Sequence, residues 1–301
     1  MLIHNSRLYL IIFLVALVFG CEDYLNNNED IQNLKDSLKN TELHIYKSNL
    51  PDILDEMSGI IYFNNNFWVI NDSRNGEIIF GINPKDGEIV RQVFVKNAEN
   101  IDWEEISQDD EFIYVGNFGN NSGNREDLSI LKIEKEQFVA NDSVSADIIE
   151  FYFEDQTNFE PEYHSTPFDC EALVVINDTI HILSKDWVKQ ITTIYTFPSK
   201  KGRWEAKINR KLDVNGLVTA ADINNNNRLI LAGYSKAFVP FISIIENYTS
   251  PYQDIQISHS YKFLNDFGSQ IEGVCFFEGD TIILSSEKSD QSDIPQRLYY
   301  F

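Results

Sequence analysis

Cysteine is nearly missing from this chain: there are three in 301 residues, at positions 21, 170 and 275. Cys170 and Cys275 fall at different offsets of non-adjacent segments, each inside an apolar run. They read as two buried free thiols, although an exported chain could oxidise them. No Cys/His spacing suits zinc, no Gly-rich loop suits a phosphate, and no Gly-x-Ser-x-Gly elbow marks a hydrolase serine. No Ser-His-Asp set can be assembled from spacing alone. His181 alternates within a strand, which makes it a packed or surface histidine, whereas His164 could overhang a site. Basic side chains are also few, 24 against 47 acidic ones, for a net charge of −23. So acidic a surface repels phosphate backbones, which excludes nucleic acid as a partner; it is compatible with cations or with simple solubility. Helical periodicity is almost absent.

What is present starts with a leader. Arg7 precedes an unbroken apolar run, Leu8 to Phe19, that ends at Gly20-Cys21. The run is too short to span a bilayer and suits a signal peptide over residues 1–20. Its end resembles a bacterial lipobox, which implies lipidation at Cys21; an ordinary secretory signal is the alternative. Removing residues 1–20 leaves 281 residues (301 − 20) and, without Arg7, a net charge of −24 (−23 − 1). Residues 21–40 are polar and read as a flexible tether, with the folded domain over 41–301. Glu22-Asp23 looks like the export signal that places some lipoproteins of the Bacteroidetes on the cell surface. The expectation is a chain held by lipid on the bacterial outer membrane or cell surface, with the periplasmic face also open.

Five short segments repeat: Glu56 to Ile60, Asp102 to Ile106, Asp169 to Leu173, Thr219 to Ile223 and Ile271 to Val274. Taking Gly59, Glu105, Ala172, Asp222 and Gly273 as equivalent, the steps are 46, 67, 50 and 51 residues. A period of this size means a repeat architecture, with room for four strands per unit. The first unit shows them: Gly59 to Phe63, Phe67 to Ile70, Ile78 to Ile82 and Ile89 to Val95, joined by polar turns. The fold expected is an all-β propeller of five four-stranded blades, or six if the polar insert near Asp155 to Ser165 hides another. The last unit runs out after three strands, and Glu42 to Tyr46 could supply the fourth, closing the ring from the N-terminus. A β-sandwich is the alternative.

In a propeller the repeated segments open the innermost strands, so their acids gather at one mouth of the channel. Glu105, Glu171, Asp222 and Glu272 are the candidate metal ligands, with Glu56 and Glu104 beside them. Carboxylates brought together repel unless a cation balances them, and Ca²⁺ accepts six to eight oxygens in loose geometry. Pairing with Arg125 and Lys185 would balance them too, and bonding to backbone amides between blades would make them purely structural. A second set follows the second strand of each blade, on the same face: Asp72, Asn120, Arg125, Lys185, Tyr234 and Glu287 are the candidate ligand-binding residues.

Asn71-Asp72-Ser73, Asp102-Trp103-Glu104-Glu105-Ile106, Gly116 to Asn121 with Arg125, Asp169 to Leu173 and Thr219 to Asp222 resemble the motifs of a bacterial propeller group. That group comprises secreted proteins and lipoproteins related to the "esterase-like activity of phytase" and SdiA-regulated propeller families. The resemblance covers about residues 56 to 301. It implies Ca²⁺ on the acids and a phosphate or ester on the metal. The basic cluster that would hold phosphates is thin, only Arg74, Arg125, Lys185 and Lys288, which argues against phytase activity proper. Three functions follow. The first is a lipid-anchored propeller binding a cation and a small ligand or glycan. The others are a metal-dependent ester or phosphoester hydrolase and a scaffold for an envelope protein.

Overall fold

Each unit of the chain is a series of Ile-, Val- and aromatic-rich runs separated by Asn, Asp and Gly, and each run becomes a strand. The computed structural model describes residues 42–48, 50–73, 75–249, 255–289 and 292–301; Cys21, Arg74 and the leader and tether lie outside them. The first strand, β1 (His44–Lys47), precedes the first blade, which holds β2 (Met57–Phe63), β3 (Asn66–Asn71), β4 (Ile78–Ile82) and β5 (Ile89–Val95). The second blade holds β6 (Trp103–Gln108), β7 (Phe112–Asn117) and β8 (Ser129–Glu134). After helix α1 (Lys135–Ala140) and the short β9 (Ser143–Val144), β10 (Asp147–Phe153) completes it. The third is β11 (Asp169–Ile176), β12 (Thr179–Lys185), β13 (Thr192–Pro198) and β14 (Gly202–Leu212). The fourth is β15 (Leu217–Ile223), β16 (Leu229–Tyr234), β17 (Pro240–Ile245) and β18 (His259–Lys262). The fifth has β19 (Ile271–Phe277), β20 (Thr281–Ser286) and β21 (Arg297–Tyr300). The Asn64-Asn65 and Asn177-Asp178 hairpin turns have positive φ at both residues, which is why Asn and Asp recur there.

The innermost strands β2, β6, β11, β15 and β19 pack side by side in that order, and β19 returns against β2. The fold is an all-β propeller of five blades. Five apolar clusters confirm the count, one between each pair of neighbouring blades. Successive residues of an inner strand face different clusters. Leu173 enters the core between blades two and three and Val174 the core between three and four. Both faces of every blade are therefore buried, which is why the inner strands read as continuous apolar runs rather than alternating ones.

The ring closes as the sequence suggested. β1 pairs antiparallel with β21, His44 opposite Tyr300 and Ile45 opposite Tyr299. Two outer edges are covered in ways the sequence did not show. β10 and β14 pair in parallel and fuse blades two and three into one eight-stranded sheet. β9 adds in parallel to β5 of blade one. The insert suspected of hiding a sixth blade contains no strand; it links β10 to β11, with the Glu162 and His164 N–H groups donating to the Ser122 and Asn121 carbonyls of blade two. Cys170 and Cys275 are buried free thiols in separate inter-blade cores. Among the described residues no helix is long and apolar enough to cross a membrane.

Candidate functional site

Every innermost strand breaks its register once near its start. The breaks fall between Met57 and Ile60, Trp103 and Glu105, Cys170 and Ala172, Val218 and Ala220, and Ile271 and Gly273. A bulge leaves one residue without a partner and re-aims its side chain. The residues so freed are Ser58, with Gly59 beside it, Glu104, Glu171, Thr219 and Glu272. Two are hydroxyls that tie one blade to the next: Ser58 Oγ donates to the Glu104 carbonyl, and Thr219 Oγ1 donates to the Ile271 carbonyl at 2.5 Å. The other three are glutamates. The residues equivalent to Glu105 are thus Gly59, Ala172, Ala220 and Gly273. Asp222 lies two positions deeper in its strand, because Thr219-Ala220-Ala221 offers small residues at the bulge and delays the acid.

Glu105 and Asp222 act as braces between blades. Glu105 Oε1 accepts the Ile106 N–H at 3.0 Å and Oε2 accepts the Ala221 N–H of β15 at 2.9 Å. Asp222 Oδ1 accepts the Ile223 N–H and Oδ2 the Phe276 N–H of β19, both at 2.8 Å. Both carboxyl groups are buried. Burial raises the pKa of Glu105 well above the carboxylate range and that of Asp222 to about 7, and the amide donors act the other way.

A different set of acids meets closely. Asp72 follows β3, while Asp102 and Glu104 flank Trp103 at the start of β6. The Trp103 ring is locked in the core between blades one and two, so its two neighbours turn away from that core. One oxygen each of Asp72, Asp102 and Glu104 lie within 4.8 Å of one another, the sole such trio among the described residues. The Asp102 and Asp72 carboxyls stand against each other in this trio. Burial, then Asp72, pushes Asp102 up to about 7, against the opposing pull of Arg125. Glu104 is only 6 % exposed. Burial, then Glu171, Asp72, Asp102 and Asp169, raise it well above its ordinary value. Gly119 backs the trio, because a Cβ there would strike the Glu104 and Asp102 carboxyl oxygens.

Beside the trio lies a paired cluster. Lys185 Nζ sits 2.8 Å from Glu171 Oε1, both side chains buried. The same ammonium lies 4.9 Å from the Trp187 ring centre and 5.3 Å from that of Tyr234. Burial alone would lower the Lys185 pKa; Glu171, Tyr234, Glu272 and Asp169 outweigh it and keep the lysine charged. The Tyr234 hydroxyl bonds both Lys185 and Glu272. Burial raises Glu272 to about 7. It raises Glu287 to about 9, helped by Glu272, Glu56 and Asp72; Gln270 donates to that carboxyl. Asp169 holds the two clusters in place. Its Oδ1 accepts the Asn120 and Cys170 N–H groups at 2.8 and 3.1 Å, and its Oδ2 the Trp187 indole at 2.7 Å.

The sequence-predicted residues therefore divide. Asp72 belongs to the trio. Glu171, Lys185, Tyr234, Glu272 and Glu287 form the paired cluster. Asn120 is a bracket: its side chain donates to the Phe168 carbonyl and accepts the Arg125 N–H. Arg125 holds the Gly119 and Asn117 carbonyls and pairs with Asp127 at 3.0 Å. Glu105 and Asp222 are the braces. The repeat does not mark Asp102 and Asp169 as ligands, yet alternation about the apolar Trp103 is a signal for Asp102. His181 is buried, with Nδ1 2.8 Å from the Tyr248 hydroxyl, and burial pulls its pKa down to about 4. His164 is stacked between Tyr163 and Trp187, with ring centres 3.8 and 4.0 Å away.

No protein-family model matches the chain, and no curated protein matches it either. Solved structures do. Hydrazine synthase of Kuenenia stuttgartiensis aligns with 80 % of this chain at 11 % identity and a TM-score of 0.40, and the chain spans 58 % of its length. A protein of Thermus thermophilus described as an oxidoreductase (glucose dehydrogenase) aligns with 86 % of this chain and 99 % of its own, at 5 % identity and a TM-score of 0.46. The Cps50 (Swd1) β-propeller domain of Myceliophteria thermophila aligns with 81 % of this chain and 83 % of its own, at 8 % identity and a TM-score of 0.40.

Proposed function

We propose that the mouth of this propeller binds a divalent cation, Ca²⁺, through Asp72, Asp102 and Glu104. The observation that carries the reading is the trio itself: the carboxyl of Glu104, a residue 6 % exposed, is placed against two further carboxyls, with one oxygen of each within 4.8 Å of the others. Burial and the neighbouring carboxyls raise the pKa of Asp102 and Glu104; a dication removes that repulsion. The donor set is all oxygen, without His or Cys, and so favours a hard ion over zinc or copper. Asp169 is engaged with two amide donors and an indole and is outside the trio. Glu171 and Glu272 are held by Lys185 and Tyr234 and stand beside the ion.

In this reading the chain is a lipoprotein of the bacterial envelope, kin to the phytase-like propellers, with Cys21 as its lipid anchor. The apolar Leu8 to Phe19 run ending in Gly20-Cys21 supports the anchor, and the Asp102 to Ile106 and Gly116 to Asn121 motifs support the kinship. A glycan or other small ligand would lie on the ion beside Lys185 and Tyr234.

Thermal unfolding tests the site. A ligand at a hundredfold excess over its Kd adds about 2.7 kcal/mol, or about 5–10 °C in Tm for a domain of this size. Ca²⁺ should produce that rise, a chelator should reverse it, and Glu104→Gln should abolish it. A Tm indifferent to both Ca²⁺ and chelator would remove the proposal.

A further inference from the structure

Large apolar side chains left in water usually sit singly at alternating positions of outer strands, and this chain has several such, Val90 and Phe94 of β5 among them. Seven others lie outside the strands; besides Val139 of α1 and Phe159 of the β10–β11 connection, five stand next to the first or second strand of a blade. Ile53, Ile101, Tyr163, Val188 and Phe267 are 50, 40, 70, 55 and 60 % exposed. Ile53, Ile101, Tyr163 and Phe267 stand in the connections that enter β2, β6, β11 and β19, and Val188 follows β12. Antiparallel pairing puts the starts of the first strands and the ends of the second strands on one face of the ring. That is the face where Asp72, Glu104, Glu171 and Glu272 open. Apolar side chains from four of the five blades thus stand on the same face as the acidic mouth.

The rim is rigid. Asn71 Nδ2 donates to the Ile53 carbonyl at 2.6 Å, Trp187 N–H to the Thr166 carbonyl at 3.2 Å and Gly268 N–H to the Phe238 carbonyl at 2.9 Å. Tyr163 caps a column of three stacked rings, Tyr163, His164 and Trp187, anchored by the Trp187 indole on Asp169. One face of Tyr163 is covered by His164, and its exposure leaves the other open. Apolar side chains held in place without a covering partner lower the ordering cost of an interface. Aromatic anchors around a central polar pocket are how protein partners are gripped.

We infer that this face docks a protein segment that presents a Lys or Arg, flanked by apolar residues, into the mouth. Charge selects the partner: carboxyls outnumber cations at the hub, and the whole chain carries −23. Lys185 already shows which group the hub stabilises, since its ammonium lies between Glu171 and the faces of Trp187 and Tyr234. A partner's basic tip would meet the same chemistry from outside, with its apolar neighbours on the rim. This inference does not rest on calcium being bound.

The test is selection of a random peptide library displayed on phage against the intact protein in chelator. Enriched peptides are then synthesised and their affinity measured. The expected winners carry a Lys or Arg between apolar residues. Replacing that residue by norleucine should weaken binding by about tenfold or more, and so should the triple variant Tyr163→Ser, Val188→Ser, Phe267→Ser. All three positions are exposed, so an unchanged Tm will certify the variant; if it unfolds, Val188→Ser alone serves. No enriched peptide, winners without a basic residue, or winners indifferent to the rim variant would each overturn the inference. A failed Ca²⁺ shift would sink the calcium proposal alone, and a failed selection would leave that proposal standing.

Discussion

Glu105 shows how a residue's role is set by what stands opposite it. The sequence marks it as an acid at the hub, and so it is, but the hub offers it two amide donors, Ile106 and Ala221. Glu104, one residue away, is turned by the bulge toward Asp72 and Asp102. Neighbouring glutamates thus become a brace and a member of the acid trio, and nothing in the string Trp-Glu-Glu-Ile distinguishes them. Only the register of β6 against β7 does. Glu105→Ala should leave the Ala221 N–H buried and unpaired, costing about 1–3 kcal/mol in urea unfolding. Gly59 is tied to the same brace: a Cβ there would strike Glu105 Oε1 and the Ile106 nitrogen. Overpacking of this kind costs about 1–3 kcal/mol, so Gly59→Ala should lower the urea midpoint to a similar degree. A double variant destabilised by less than the sum of the two would show that they share one contact. Full additivity would show that they do not.

At the scale of the strand, most of the fold was legible because hydrophobic runs and Asn/Asp/Gly turns are local signals. Blade one was read strand by strand, and so was the use of the N-terminus to close blade five. What was not legible came from long-range pairing. The parallel match of β10 with β14 joins strands that lie in different repeats, and no periodicity announces it. The fourth strand of blade four, β18, is polar and mostly exposed, so it lacked an apolar pattern to find. β1 tests the closure. A chain shortened to begin at Ser48 loses the β1–β21 ladder and the buried Leu43. Leu43 alone contributes about 1.5–3 kcal/mol of burial. The shortened chain should unfold at lower urea and self-associate more readily through the bared β21 edge. Sedimentation and urea unfolding would check both. An unchanged midpoint would mean that β21 stands as an edge by itself.

The whole molecule gathers carboxyl groups where water is excluded, and its stability should therefore depend on pH in an unusual direction. Asp222 and Glu272 have folded pKa values raised to about 7, and Glu287 to about 9, all chiefly by burial. Their ordinary values are 3.8 for Asp and 4.5 for Glu. In the window between, the folded chain holds more protons than the unfolded chain. The stability from these groups is complete below their ordinary values and is lost as pH rises through the folded ones. His181 works the other way. Its folded pKa is pulled down from 6.5 to about 4, so its contribution is present above 6.5 and lost as pH falls through that interval. Burial raises Asp102, Glu104, Glu105 and Glu171 as well and lowers His164 alongside His181, so the acids outnumber the histidines, and the acids' window extends to higher pH. The urea midpoint should be higher near pH 5.5 than near pH 8, and Asp222→Asn, which needs no proton to stay neutral, should narrow the difference. Equal stability at the two pH values would mean that these acids are ionised throughout, with a cation or solvent already balancing the hub.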